Sequence, residues 1–170
     1  MKDSIKKIVF SLSLLIGMSL SLVACGQNSM PYPFLYESDG IREIQIIRLG
    51  LQNDYQTFQI EMMDECIILA DIEDTFEFIE KFNNDVLFSR YWIGDPTELK
   101  SGDYVIKVTY INGDFELIGY YAQRIFVQDA DRGYIDWNGV KYGTMPGLMN
   151  CDSDSFMGFI NLYVDDSILN

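Results

Sequence analysis

The chain contains no histidine. That absence removes Ser-His-Asp and Cys-His catalysis, and with them the common zinc sites, all of which need an imidazole. It has three cysteines and no C-x-x-C pair, so no metal or redox motif is spelled. G-x-S-x-G and a glycine-rich phosphate loop are also missing. Basic residues are scarce: 12 Lys and Arg stand against 26 Asp and Glu, a net charge of −14. So acidic a surface argues against binding nucleic acid and against lying flat on an anionic membrane. It suits solvation and standoff from a bilayer, or a cationic partner. Aromatic residues are not scarce. At 14% of the chain, they are too many for the excess charge to signal disorder.

Most informative is the N-terminus. Residues 1 to 7 carry three lysines and one aspartate, and Ile8 to Val23 carry no charge. A basic start followed by a short apolar run has the form of a secretory signal peptide. It falls short of the roughly 20 strongly apolar residues that a spanning helix needs, and polar residues follow it.

The run ends in Leu22-Val23-Ala24-Cys25. A branched apolar residue three before a cysteine, with a small residue directly before it, resembles the lipobox of bacterial lipoproteins. The resemblance covers about the first 25 residues. It implies a diacylglyceryl group on the sulfur of Cys25, acyl chains such as palmitate, and cleavage between Ala24 and Cys25. The expected address is the extracytoplasmic face of the cell membrane. Each buried methylene adds about 0.8 kcal/mol of retention, so two or three chains hold where one does not.

Domain organisation follows: residues 1–24 signal peptide, 25–33 a polar, proline-stiffened flexible tether, 34–170 one globular domain. Without residues 1–24 the chain has 146 residues, 9 basic and 25 acidic. That length supports a single hydrophobic core. Cys66 and Cys151 are left, and spacing alone leaves disulfide and free thiols both open.

Alternation over Glu43–Leu49 predicts a half-buried strand. Thr57–Met63 reads as a second strand with Phe58, Ile60 and Met62 on one face, and Cys66–Ala70 as a short apolar run. A helix is predicted at about 71–84, capped by Asp71, with Ile72, Phe76, Ile79 and Phe82 as its apolar stripe. Val86–Trp92 reads as another strand. Asn112-Gly113 signals a two-residue hairpin turn. That register sets Tyr110 against Phe115, Val108 against Leu117 and Thr109 against Glu116, with one face buried and the other mixed. Arg124–Gln128 continues the sheet, and Asp129–Gly133 turns the chain. Asn138-Gly139 signals a second hairpin, pairing Trp137 with Val140, Asp136 with Lys141 and Ile135 with Tyr142. A C-terminal helix is expected at about 154–164, capped by Asp152 or Asp154, with Phe156, Phe159, Ile160 and Tyr163 inward. Segregated strands and helices of this kind mean α+β, a mainly antiparallel sheet with both helices packed on one face. The arrangement is similar, only in general terms, to small lipoprotein domains of Gram-positive bacteria. No motif carries that likeness, so no functional residue transfers.

Cys25, as the lipidation site, is the one site residue predicted. No catalytic, cofactor-binding or metal-binding residue is singled out, and no cofactor is expected. Asn150-Cys151-Asp152-Ser153-Asp154 begins like a calcium loop, but Ser155 stands where glycine belongs and Asn161 where the closing glutamate belongs. Helix capping accounts for it better. Asp129-x-Asp131-x-Gly133 reads as a surface turn. Tyr91, Trp92, Tyr120, Tyr121, Tyr134 and Trp137 are enough aromatic surface to line a carbohydrate or peptide groove, although sheet packing also explains them. The sequence therefore predicts a lipid-anchored, extracytoplasmic binding or interaction domain, with a protein, peptide or carbohydrate ligand and no nucleic acid. The alternatives are a small carboxylate-dependent hydrolase of the envelope, which needs two carboxyl groups across a cleft, and a structural envelope component that binds nothing.

Overall fold

The structure, a computed structural model, describes residues 29–50, 56–91, 98–138 and 148–165. It is α+β. In chain order come β1 (Ser29–Met30), β2 (Ile41–Arg48), β3 (Ile67–Asp71), α1 (Thr75–Asp85), β4 (Phe88–Tyr91), β5 (Tyr104–Tyr110), β6 (Phe115–Ile118), β7 (Gln123–Asp129), β8 (Gly133–Asn138), β9 (Leu148–Cys151) and α2 (Ser153–Ile160). Six strands form an antiparallel sheet in the order β3-β2-β5-β6-β7-β8, and β1-β4-β9 form a small second one.

Alternation along the strands divides the core between two faces. Ile44, Ile46, Ile106, Val108 and Ile118 meet Phe78 and Phe82 of α1 and Phe156, Phe159 and Ile160 of α2. On the opposite face Ile47, Val105, Leu117 and Phe126 meet Phe58 and Leu99. The helices do share one face, but the other face is covered too, by the segment around residues 56–66. The sheet is therefore not one-sided, and most strand residues are buried whichever way they point.

Two-sided burial explains the principal correction. The loop after β5 has three residues, Ile111-Asn112-Gly113, not two. Tyr110 N–H donates to the Asp114 carbonyl at 2.9 Å and Gly113 N–H to the Tyr110 carbonyl at 3.0 Å. Gly113 has φ +92°, as the left-handed third position of such a loop requires. The Asp114 side chain fixes this form: Oδ2 accepts from the Asn112 amide at 2.9 Å and Oδ1 from Gln128 N–H at 2.8 Å. The extra residue slips the register by one. Val108 stands opposite Glu116, Lys107 opposite Leu117 and Thr109 opposite Phe115. Phe115, Glu116, Leu117 and Ile118 are all buried, so alternation gave no warning.

Other elements shift more locally. Asp71 ends β3, and the cap of α1 is Asp74, whose carboxylate accepts from Glu77 N–H at 2.9 Å. The buried stripe is then Phe78 and Phe82, and Phe76 is 69% exposed. The expected strand at Thr57–Met63 keeps only a bridge from Thr57 to Lys100 before Ile60–Glu65 closes into a 3-10 helix. Phe58 anchors it, and Glu61, Asp64 and Glu65 face outward. The β7–β8 hairpin turns at Ala130–Arg132, where the sequence predicts a turn, and Asn138 still pairs with Arg124. The hairpin expected at Asn138-Gly139 has its return strand outside the described residues. Residues 29–33, expected as tether, include β1 and a buried Tyr32, so folded structure begins by Ser29 rather than at 34.

Candidate functional site

Burying Glu116 is costly unless its oxygens are matched by donors. They are. Tyr32 Oη donates to Oε2 at 2.6 Å, Leu35 N–H to Oε1 at 2.9 Å, and the Tyr110 hydroxyl also donates to Oε1. Burial and the adjacent carboxylate push both tyrosines well above the ordinary phenol range, so both keep the proton they donate. Two residues back, at the turn, Asp114 accepts from Tyr36 Oη at 2.5 Å. Two acids of β6 and its turn thus hold the strap of residues 32–36 against the sheet. A hydrolase needs carboxyl groups facing a cleft, whereas these two are committed to structure.

The opposite face is closed by Arg124. Its guanidinium pairs with Asp136, with Nε 3.2 Å from Oδ1, and Nη1 donates to the Phe58 carbonyl. It also lies over the Phe58 and Phe126 rings, 5.8 and 5.4 Å from their centroids. Burial lowers its pKa from the usual arginine value. Arg124 therefore ties the covering segment to the sheet through that segment's backbone.

Where the cover lifts away, a groove of about 430 Å³ opens over β5 to β8. Ile60 and Met63 of the 3-10 helix form its apolar wall. Its floor and rim carry Arg42, Lys107, Thr109, Phe115, Gln128 and Tyr134. Three features mark it. Arg42 and Lys107 have no carboxylate within 4 Å among the described residues, as is also true of Arg48 and Lys100, whereas Lys81, Arg124 and Arg132 each have one. Lys107 Nζ lies 5.5 Å from the Phe115 centroid, and Tyr134 packs edge-on to Phe115 at 5.1 Å. Thr109 is only 5% exposed, yet its hydroxyl has no hydrogen-bond partner. A second groove, about 680 Å³, lies between the strap and α1, lined by Phe34, Leu35, Glu37, Ile41, Ile79 and Asn83 among others. It is larger, has no cation among its described lining residues, and holds Asn83, whose Oδ1 is likewise buried without a hydrogen-bond partner.

Of the aromatic group read from the sequence, Tyr134 reaches the sheet groove. Tyr120 and Tyr121 stack edge-on elsewhere, and Tyr121 Oη donates to Asp103. Trp92 lies outside the described residues, as do the side chains of Tyr91 and Trp137. Cys25 lies outside them too. Asp152 caps α2, accepting from Ser155 N–H at 2.8 Å, and Asp129 closes its own turn by accepting from Asp131 and Arg132 N–H. Cys66 and Cys151 are free thiols, packed against the cores on opposite faces of the sheet. Burial pushes both thiols up, Cys151 to about 12 with the Asp152 charge adding to it. Among the described residues no helix is long and apolar enough to cross a membrane.

No family model, curated protein or solved structure matches the chain. Its chemistry has to be argued from the groove itself. Sequence reasoning missed that groove because Arg42, Lys107 and Thr109 lie in plain strand pattern. Only the slipped register brings Thr109 beside Phe115.

Proposed function

We propose that this protein is a lipid-anchored, extracytoplasmic binding domain whose ligand site is the groove over β5 to β8. The observation that carries the binding reading is the groove itself, where Ile60 and Met63 face Arg42, Lys107 and Gln128 across one concavity of about 430 Å³. These polar groups beside an apolar wall, with Tyr134 among the lining residues, are the usual make-up of a small-molecule site. Anchoring rests on Leu22-Val23-Ala24-Cys25 alone.

Two measurements test the two halves. Membrane fractionation with a labelled fatty acid is expected to lose label in Cys25→Ala; unchanged label removes the anchor. Hydrogen exchange on the full chain in detergent, with and without a low-mass extract of the cell envelope, is expected to show slowed exchange at residues 107–109 and 115–117. Exchange unchanged there removes the binding reading.

A further inference from the structure

One edge of the large sheet stands open. Among the described residues β3 pairs with β2 alone, and its outer edge pairs with no strand. We infer that this edge is a docking site for an extended apolar segment of another protein, one that carries a basic residue at each end and adds itself to the sheet as a further strand. The surface is separate from the groove, and the inference goes beyond the small-molecule reading.

The strand itself is unguarded. An open edge is usually protected by a lysine, a proline or a bulge. β3 reads Ile67-Ile68-Leu69-Ala70-Asp71 and has neither of the first two. The register shift falls at Leu69, and beyond it Ile68 and Ile67 pair with Ile47 and Arg48. Those two isoleucines are 53% and 38% exposed and belong to neither core. Being consecutive in a strand, they point to opposite faces. No single flat surface covers both. A strand laid alongside covers both and satisfies the outward backbone groups at once.

Charge decides what that strand is. Asp64, Glu65, Asp71 and Glu73 are all exposed at the two ends of β3. Gln45 Nε2 fixes the Asp71 carboxylate by donating to Oδ1 at 2.7 Å. Arg48, across from Ile67, lies over the Tyr104 ring, 5.9 Å from its centroid, and makes no ion pair with any of these four acids. A second copy of the chain fits badly. Antiparallel self-pairing centred on Ile68 sets Glu65 opposite Asp71, and centred on Leu69 it sets Glu65 opposite Glu73, each twice over by symmetry. Like charges directly opposite are destabilising, and two chains of net charge −14 repel at longer range as well. A lysine or arginine at each end of a short apolar run reverses both effects.

The test is fluorescence anisotropy on the detergent-solubilised full chain with labelled, end-blocked peptides. The first is Lys-Thr-Val-Ile-Val-Thr-Lys, whose lysines are spaced as Glu65 and Asp71 are. One control replaces both lysines by glutamate. The other replaces the central isoleucine by proline, which keeps the charge and spoils the pairing. The first peptide is expected to bind about tenfold or more tightly than either control, to weaken as salt is raised, and to slow hydrogen exchange at residues 67–71. Ile68→Lys is expected to weaken it at least about tenfold by guarding the edge, with the urea midpoint unchanged because the side chain is exposed. Equal binding of the glutamate peptide overturns the charge assignment. Equal binding of the proline peptide shows attraction by charge alone and overturns strand pairing. No binding, or slowed exchange elsewhere than 67–71, overturns the site. A dimer of the chain that Ile68→Lys dissociates in sedimentation gives the edge to a second copy and overturns the inference too. None of these outcomes bears on the groove, which is read separately at residues 107–109 and 115–117.

Discussion

Glu116 and Tyr32 are 84 positions apart in sequence, and the phenol lies 2.6 Å from the carboxylate. The contact joins the start of the folded chain to a central strand of the sheet. Glu116→Gln keeps the shape but replaces a carboxyl that accepts from three donors by an amide with a single acceptor oxygen. It is expected to cost about 1.5–3 kcal/mol in urea unfolding. Tyr32→Phe should cost less. The double variant should cost less than the two singles added together, because the residues share one network. Full additivity would show that the strap is held by something else.

Alkali should unfold this protein early. Tyr32, Tyr110 and Tyr121 are all raised above their ordinary value of 10.0, through burial and the neighbouring Glu116 or Asp103 carboxylate. Below pH 10 both folded and unfolded chains keep these protons, and the stabilisation is fully present. Above it the unfolded chain releases them while the folded chain holds them, so stability falls as pH rises. Cys66 and Cys151 begin the same trend from their ordinary value of 9.0. The urea midpoint should decline from about pH 9 upward. Phenolate absorbance of these three tyrosines should appear only with unfolding. A midpoint flat to pH 11 contradicts the network.

Neighbouring positions on β5 should respond alike to a charge. Val108 and Thr109 point to opposite faces, and both are buried. Val108→Lys and Thr109→Lys should each cost several kcal/mol, about 2–7, because each buries an ammonium and the second does so in the groove that already holds Arg42 and Lys107. A sheet covered on one side predicts a severe loss only for Val108. Comparison of the two unfolding curves separates the architectures.

The turn offers a cleaner variant. Gly113→Ala places a methyl at φ +92°, where it would press on Gln128 Oε1. The side-chain end of Gln128 can swing away, so the lasting cost is the backbone, about 1–2 kcal/mol. Gln128→Ala added to Gly113→Ala should recover little. Full recovery would mean that the clash dominates and the φ does not.

Local chemistry was legible wherever it was decided locally. Asp152 and the Phe156/Phe159/Ile160 stripe name α2, because a cap and a 3.6-residue period need no knowledge of partners. The α1 cap slid from Asp71 to Asp74 because β2 claims Asp71: Gln45 Nε2 donates to its carboxylate at 2.7 Å. The β5–β6 register was illegible for a deeper reason. It depends on Asp114 reaching Gln128 and on Glu116 finding Tyr32, contacts 14 and 84 residues away. Alternation marks register only when one face meets water, and here neither does. The groove inherits that opacity, since Lys107, Thr109 and Phe115 become neighbours only through the slipped pairing.

The early start of the fold also bears on mechanics. Ser29 pairs with Ser89, and Tyr32 is 2% exposed. Four peptide steps separate Cys25 from Ser29, a reach of at most about 14 Å when fully drawn out. On the proposed anchor the domain is moored on a short leash, and its search for ligand is confined to a thin layer above the bilayer. Any sideways tug on the lipid passes along that leash to the β1–β4 pairing and then to Tyr32, and so to Glu116 in mid-sheet. On that same proposed anchor, the strap from Tyr32 to Glu116 is where a load from the membrane would be borne.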